Sequence, residues 1–180
     1  MCQMLRSAAI IAFGCLALFG CNKHTEAAAD GPAMLAVGTS LPSLVGVDKD
    51  GKEIRLSPSS GKRTLVYFYP KDGTPGCTKE ACAFRDVWQR FEQANVLLYG
   101  VSRDDPAAHS RFAIEHHIPF PLVSDVDGKW ANAFGVPSPN GKSKRVSFLF
   151  DSKGKLVTTY PNVDPGVHAD QVLRDVAATN

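Results

Sequence analysis

The sequence predicts an α/β fold with a central mixed β-sheet flanked by helices, and three observations carry that reading. Short apolar, β-branched runs alternate along the chain with stretches of helical periodicity. Turn residues separate them, and a final pair of strands is joined by a tight turn, which puts antiparallel strands at one sheet edge. The 180 residues have room for one well-buried core and a small appendage rather than two domains.

The elements follow in order. Leu44–Val47 and Glu53–Leu56 flank Asp48-Lys49-Asp50-Gly51, a hairpin signal. Thr64–Tyr69 is an aromatic, β-branched run that ends at Pro70 and suits a buried central strand. After the turn-rich segment 71–76, apolar residues recur at helical spacing from Cys77 to Ala94 (Ala81, Phe84, Val87, Trp88 and Phe91), which predicts one helix with a buried face. Val96–Ser102 is the next buried strand. Asp105-Pro106 opens a helix, with Asp as cap and Pro in the first turn, and Pro119 and Pro121 end it. A short strand near Leu122 and a brief helix over Lys129–Phe134 come next. Val146–Phe150 and Leu156–Tyr160 are strands joined by Asp151-Ser152-Lys153-Gly154. Asp164-Pro165 repeats the cap pattern and starts a last helix to Ala178.

Charge excludes one class of partner. Lys+Arg 20 against Asp+Glu 18 gives a formal +2, and the longest basic cluster, Lys142–Arg145, is too short to follow a nucleic-acid backbone.

Five cysteines are the unusual feature. Residues 1–20 carry Arg6 and then an apolar run of about a dozen residues, short of the roughly 20 that a spanning helix needs. That is the pattern of a secretory signal peptide. Its end, Leu18-Phe19-Gly20-Cys21, resembles the lipobox of bacterial lipoproteins, in which the cysteine becomes the lipidated first residue. Phe19 is bulkier than that pattern usually carries, and a plain signal peptide or an uncleaved anchor are the alternatives. Asn22 after the cysteine resembles outer-membrane sorting, which would place the chain on a bacterial membrane facing the periplasm. Residues 21–36, poor in large apolar side chains, form a flexible tether, and 37–180 the folded domain.

Cys77 and Cys82 then remain. Export permits a disulfide, but a bridge five residues apart closes too short a loop to stabilise much. Cys77 stands at a helix start after a Gly/Pro turn, where unpaired N–H groups and the helix dipole favour the thiolate, the nucleophilic form. The Thr74 hydroxyl is three residues away on the turn. On an intact helix the Cα atoms of Cys77 and Cys82 would be roughly 8.7 Å apart with side chains diverging, beyond the ~7 Å limit for a disulfide. If they pair, the first turns must unwind.

The run Tyr69-Pro70-Lys71-Asp72-Gly73-Thr74-Pro75-Gly76-Cys77-Thr78-Lys79-Glu80-Ala81-Cys82 resembles the active site of peroxiredoxins, whose Pro-x-x-x-Thr-x-x-Cys pattern is met by Pro70, Thr74 and Cys77. The second cysteine, Tyr67–Asp72 and Phe84-Arg85-Asp86 are similar to the Q-type, or bacterioferritin comigratory protein, subgroup. Arg145-Val146-Ser147-Phe148 resembles its arginine strand. The resemblance implies a thioredoxin-like fold over residues 37–180 and a thiol peroxidase without a cofactor, often a monomer. It implies that Cys77 attacks the peroxide, that Cys82 resolves the sulfenic acid as a disulfide, and that a thioredoxin-like dithiol protein reduces it. It also puts Pro70, Thr74, Gly76, Cys77 and Arg145 at the substrate, with Glu80 orienting the arginine.

Two other readings stay open at this point. An exported thiol–disulfide oxidoreductase would carry Cys-x-x-Cys and a cis-proline where Val146 stands. A thioredoxin-fold copper chaperone would carry Cys-x-x-x-Cys. His109, His116, His117 and His168 show no metal-ligand spacing with the cysteines, and Asp125-Val126-Asp127-Gly128 reads as a turn rather than a calcium loop.

Overall fold

The computed structural model describes residues 33–58 and 61–178. The expected signal segment and Cys21 lie outside the described residues, as does most of the tether. Residues 33–36, which composition assigns to the tether, run against the domain: the Leu35 N–H donates to the Phe134 carbonyl at 3.2 Å, and Leu35 packs on the core.

The strands are β1 (Leu44–Asp48), β2 (Glu53–Leu56), β3 (Arg63–Phe68), β4 (Val96–Ser102), β5 (Leu122–Ser124), β6 (Val146–Phe150) and β7 (Leu156–Tyr160). The helices are α1 (Pro75–Asp86), α2 (Trp88–Gln93), α3 (Pro106–His116), α4 (Lys129–Phe134) and α5 (His168–Ala178). The strands form one mixed sheet of seven in the order β2-β1-β5-β4-β3-β6-β7. β3, β4 and β5 run parallel at its centre, and antiparallel pairs close both edges. The closing hairpin pointed to one antiparallel edge. The second arises because β1 turns out to be an inner strand beside β5, a long-range pairing that no local signal encodes.

Strand alternation sorts the core onto the two faces of the sheet. Leu65, Tyr67, Leu98 and Leu149 pack with Phe84 of α1, Phe91 of α2, Phe112 of α3 and Val172 of α5. Val66, Phe68, Phe148 and Phe150 face Trp130 and Phe134 of α4. Gly100 of β4 lies beside Tyr67 of β3, and a Cβ there would sit 2.6 Å from the Tyr67 hydroxyl. Only glycine lets that phenol lie flat in the core.

Three boundaries differ from expectation. The helix foreseen as continuous over residues 77–94 starts at Pro75 and breaks at Val87 (φ −113°, ψ 15°), where neither Gly nor Pro marks the step. α3 ends before the prolines, at His117 in the left-handed region (φ 55°), whose N–H donates back to Ala113 and Ile114. α5 begins at His168 rather than Pro165. Asp164 closes a turn first, accepting from the Gly166 N–H at 2.9 Å on its side chain and from Val167 and His168 on its carbonyl. Asp125 occupies the turn before α4, where its carboxylate accepts from the Trp130 and Ala131 N–H groups at 2.8 and 2.9 Å. Its oxygens are committed to the helix start.

Candidate active site

Cys77 is the third residue of α1, 1% exposed, and its thiol is free, as is that of the half-buried Cys82. Thr74 caps the helix in an extended conformation and Pro75 opens it. The Thr78 N–H donates to the Thr74 carbonyl at 2.9 Å, so the N–H groups of Gly76 and Cys77 precede the first helical bond. These are the donors that an anionic sulfur or a bound oxygen meets.

Arg145, the residue before β6, reaches this helix start from the adjacent strand. Its Nη2 donates to the Cys77 sulfur at 3.2 Å, and its Nη1 donates to the Glu80 carboxylate. A Cβ on Gly76 would lie 3.4 Å from that Nη2, so position 76 is kept narrow where the guanidinium passes. Glu80 is fully buried, and burial raises its carboxyl to about 7 against the lowering pull of Arg145. Glu80 Oε1 has no hydrogen-bond partner, nor has the Tyr67 hydroxyl beneath the helix. Tyr67 is held well above the usual phenol range by burial and then by Glu80 and Asp72; it stays a neutral phenol.

The Thr74 hydroxyl donates to the Lys71 carbonyl at 3.0 Å, not to the sulfur. Its lone pairs are therefore what it offers to a substrate O–H. Pro70 follows the end of β3, just ahead of that turn. A groove of about 430 Å³ lined by Lys144, Arg145, Pro161, Asn162, Val163 and Asp164 leads to the guanidinium.

Sequence reasoning missed how the loop before α1 is held. His109 of α3 is fully buried and donates from Nδ1 to Asp72 at 2.7 Å, while the Tyr69 hydroxyl donates to the other Asp72 oxygen at 2.7 Å. The Asp72 N–H donates to Asp104 at 2.9 Å, and Ser102 steadies Asp104. A histidine on a helix face carries no local mark of this role. His168 is likewise buried, 2.8 Å from the Ser147 hydroxyl, and burial lowers it to about 4, so it is neutral at pH 7.

Residues 37–159 match the AhpC/TSA family. Peroxiredoxin Q of Populus jackii is 41% identical over 140 residues, 76% of this chain and 66% of its own length. The Coxiella burnetii protein named as peroxiredoxin bcp is 37% identical over 146 residues, 77% of this chain and 97% of that one. Among solved structures, the bacterioferritin comigratory protein of Xanthomonas campestris superposes with a TM-score of 0.72 at 33% identity, covering 80% of this chain and 99% of its own; that structure concerns its alkyl peroxide reduction activity. The sheet and its flanking helices are thus thioredoxin-like. Profile, relatives and the arginine–cysteine geometry agree, and the chain belongs to the AhpC/TSA family as a peroxiredoxin of the Q, or bacterioferritin comigratory protein, subgroup.

Proposed function

We propose that the chain reduces hydrogen peroxide and organic hydroperoxides through Cys77, with Cys82 resolving the intermediate as an intramolecular disulfide that a thioredoxin-like dithiol protein reopens. The observation that carries this reading is the Arg145 guanidinium 3.2 Å from a buried cysteine at a helix start. The Cys77 thiolate attacks one peroxide oxygen; the S–O bond forms as the O–O bond breaks, and the second oxygen departs as water or an alcohol. Arg145 and the N–H groups of Gly76 and Cys77 meet the charge that develops on the oxygens. Thr74 accepts the substrate O–H. The xanthomonad relative's alkyl peroxide activity supports the organic substrate, and the mixed lining of the groove, Pro161 and Val163 beside Lys144, suits an organic tail.

Titration of thiols during stepwise peroxide addition tests the scheme. The wild-type chain loses the Cys77 and Cys82 thiols together at one peroxide per protein. Cys82→Ser loses one, then stalls with Cys77 as sulfenic acid and advances to sulfinic acid under excess peroxide. If Cys82→Ser turned over with thioredoxin at the wild-type rate, Cys82 would not be the resolving residue.

We also infer attachment to a bacterial membrane through a lipid on Cys21, facing the periplasm. Leu18-Phe19-Gly20-Cys21 and Asn22 support this, and no helix among the described residues is long and apolar enough to cross a membrane. The native chain is expected in the detergent phase of a phase separation and Cys21→Ser in the aqueous phase. An unchanged partition would remove lipid at Cys21.

A further inference from the structure

Two loops leave the same end of the sheet side by side, and one peptide unit joins them. β3 and β4 run parallel with Phe68 opposite Val101, and the Tyr69 N–H donates to the Val101 carbonyl at 3.1 Å. The loop after β3 leads to Thr74 and Cys77; the loop after β4 carries Asp104, two residues beyond the strand end at Ser102. Asp104 is itself fixed. One carboxylate oxygen accepts from the Ser102 hydroxyl at 2.7 Å, and the Asp104 N–H donates back to that hydroxyl at 3.1 Å. The Ser124 hydroxyl of β5 donates to the Asp104 carbonyl. The same carboxylate oxygen accepts from the Asp72 N–H at 2.9 Å. The Asp72 N–H and the Lys71 carbonyl belong to one planar peptide unit, so holding the first holds the second. The Lys71 carbonyl accepts from the Thr74 hydroxyl at 3.0 Å, and Gly73, in the left-handed region at φ 70°, turns the chain back to bring the two together.

We propose that Asp104 is a positioning residue for peroxide reduction: through the Lys71–Asp72 peptide it sets the direction of the Thr74 hydroxyl. This rests on the reading of Thr74 as the acceptor of the substrate O–H. A hydroxyl has one proton and two lone pairs. While the proton is committed to Lys71, the lone pairs are left for the peroxide. Once the Asp72 N–H is released, the peptide is free to turn over and take the Lys71 carbonyl away from the hydroxyl. The Thr74 proton then points at substrate or sulfur, and the peroxide meets a second donor beside Arg145 in place of its acceptor. His109 and Tyr69 bear on a different part of Asp72, its carboxylate. They keep the residue in place, and both bonds can persist while the peptide plane turns; Asp104 grips the plane itself. No bond, proton or electron pair changes at Asp104, so its effect is on orientation alone.

The test is a double-mutant cycle between Asp104 and Thr74 in the full chain, with the two chemical steps read separately. Rapid quench and mass follow sulfenic acid formation at Cys77 against peroxide concentration, and then disulfide closure as the first-order step after it. Asp104→Leu is expected to slow sulfenic acid formation about tenfold, equal to ~1.4 kcal/mol of barrier, and to leave closure within about twofold of wild type. Thr74→Val slows the same step by at least about tenfold. With the hydroxyl gone there is nothing left to orient. The double variant Asp104→Leu, Thr74→Val therefore reacts within about twofold of Thr74→Val alone, where independent effects would multiply to about a hundredfold. Asp104→Asn loses the charge but keeps an oxygen for the Asp72 N–H, and it retains most of the rate. Asp104→Ala takes the place of the leucine if that variant does not fold. Three results overturn the proposal and leave Thr74 as the acceptor: losses that multiply in the double variant, a wild-type rate in Asp104→Leu, or a loss in Asp104→Asn equal to that in Asp104→Leu. Sulfenic acid formation at the wild-type rate in Thr74→Val overturns both.

Discussion

Cys77→Ser is expected to bring peroxide consumption down to the uncatalysed reaction, a loss of at least about 10⁴-fold of the kind seen when a nucleophile is removed. The argument rests on what surrounds the sulfur. A cysteine thiol is partly ionised at neutral pH and its thiolate is intrinsically nucleophilic, whereas a serine hydroxyl needs a base to take its proton. The group against position 77 is Arg145, a cation that cannot accept one. The carboxylate nearby, Glu80, is engaged by that same arginine. A site built to hold an anion therefore has no means of making one from serine. The exchange of sulfur for oxygen at a 1% exposed position is close to isosteric, so the fold survives and the loss reads as chemistry. Cys82 cannot substitute, because the helix start and Arg145 are not at its position. Direct measurement of peroxide loss decides it, and retention of full activity in Cys77→Ser would overturn the mechanism.

What could be read from the sequence depended on whether the signal was local. The strands from β3 to β7 and the brief α4 have their periodicity and their turns within a few residues, and their bounds lie within a residue or two of expectation. Cys77 was legible for the same reason: strand, Gly/Pro turn and helix start are contiguous. Arg145 was not. In the chain it is one more charge in Lys142–Arg145, and only pairing of β6 with β3 carries it to α1. Glu80 shows the same limit in sharper form. An acid in a first turn ordinarily lies in solvent and favours the dipole, yet here it is fully buried and paired across 65 residues. The Asp72–His109 clamp joins residues 37 apart through α3, and nothing near His109 announces it. Local chemistry named the nucleophile; Arg145 and Glu80 were named by resemblance, and sheet order is what carries the arginine to Glu80 and Cys77.

Arg145→Met is expected to lose rate and stability together, and a second substitution pulls the two losses apart. Removing a donor aimed at developing charge costs about 10²–10³-fold in rate. Removing the cation from a buried ion pair strands Glu80, and breaking such a pair costs about 3–5 kcal/mol. In the double variant Arg145→Met, Glu80→Leu the stranded carboxyl is gone, so most of the stability returns and none of the rate. The pH dependence identifies Glu80 as the source. Its folded-state value is already raised from 4.5 to about 7 by burial, with Arg145 holding it down. A raised carboxyl contributes most to stability below about 4.5 and loses that contribution as pH climbs through its folded value. Without Arg145 the folded value rises further and the loss extends above pH 7. Near pH 5 the folded proteins both keep Glu80 protonated, and the stability gap between Arg145→Met and wild type is small. At pH 8 the wild-type carboxylate ionises against its arginine, the variant's has no partner, and the gap opens. Denaturant unfolding at pH 5 and pH 8, beside turnover at each, measures both terms. A gap equal at the two pH values would mean that Glu80 is not what Arg145 stabilises, and turnover recovered in the double variant would mean that the guanidinium does not act on the peroxide.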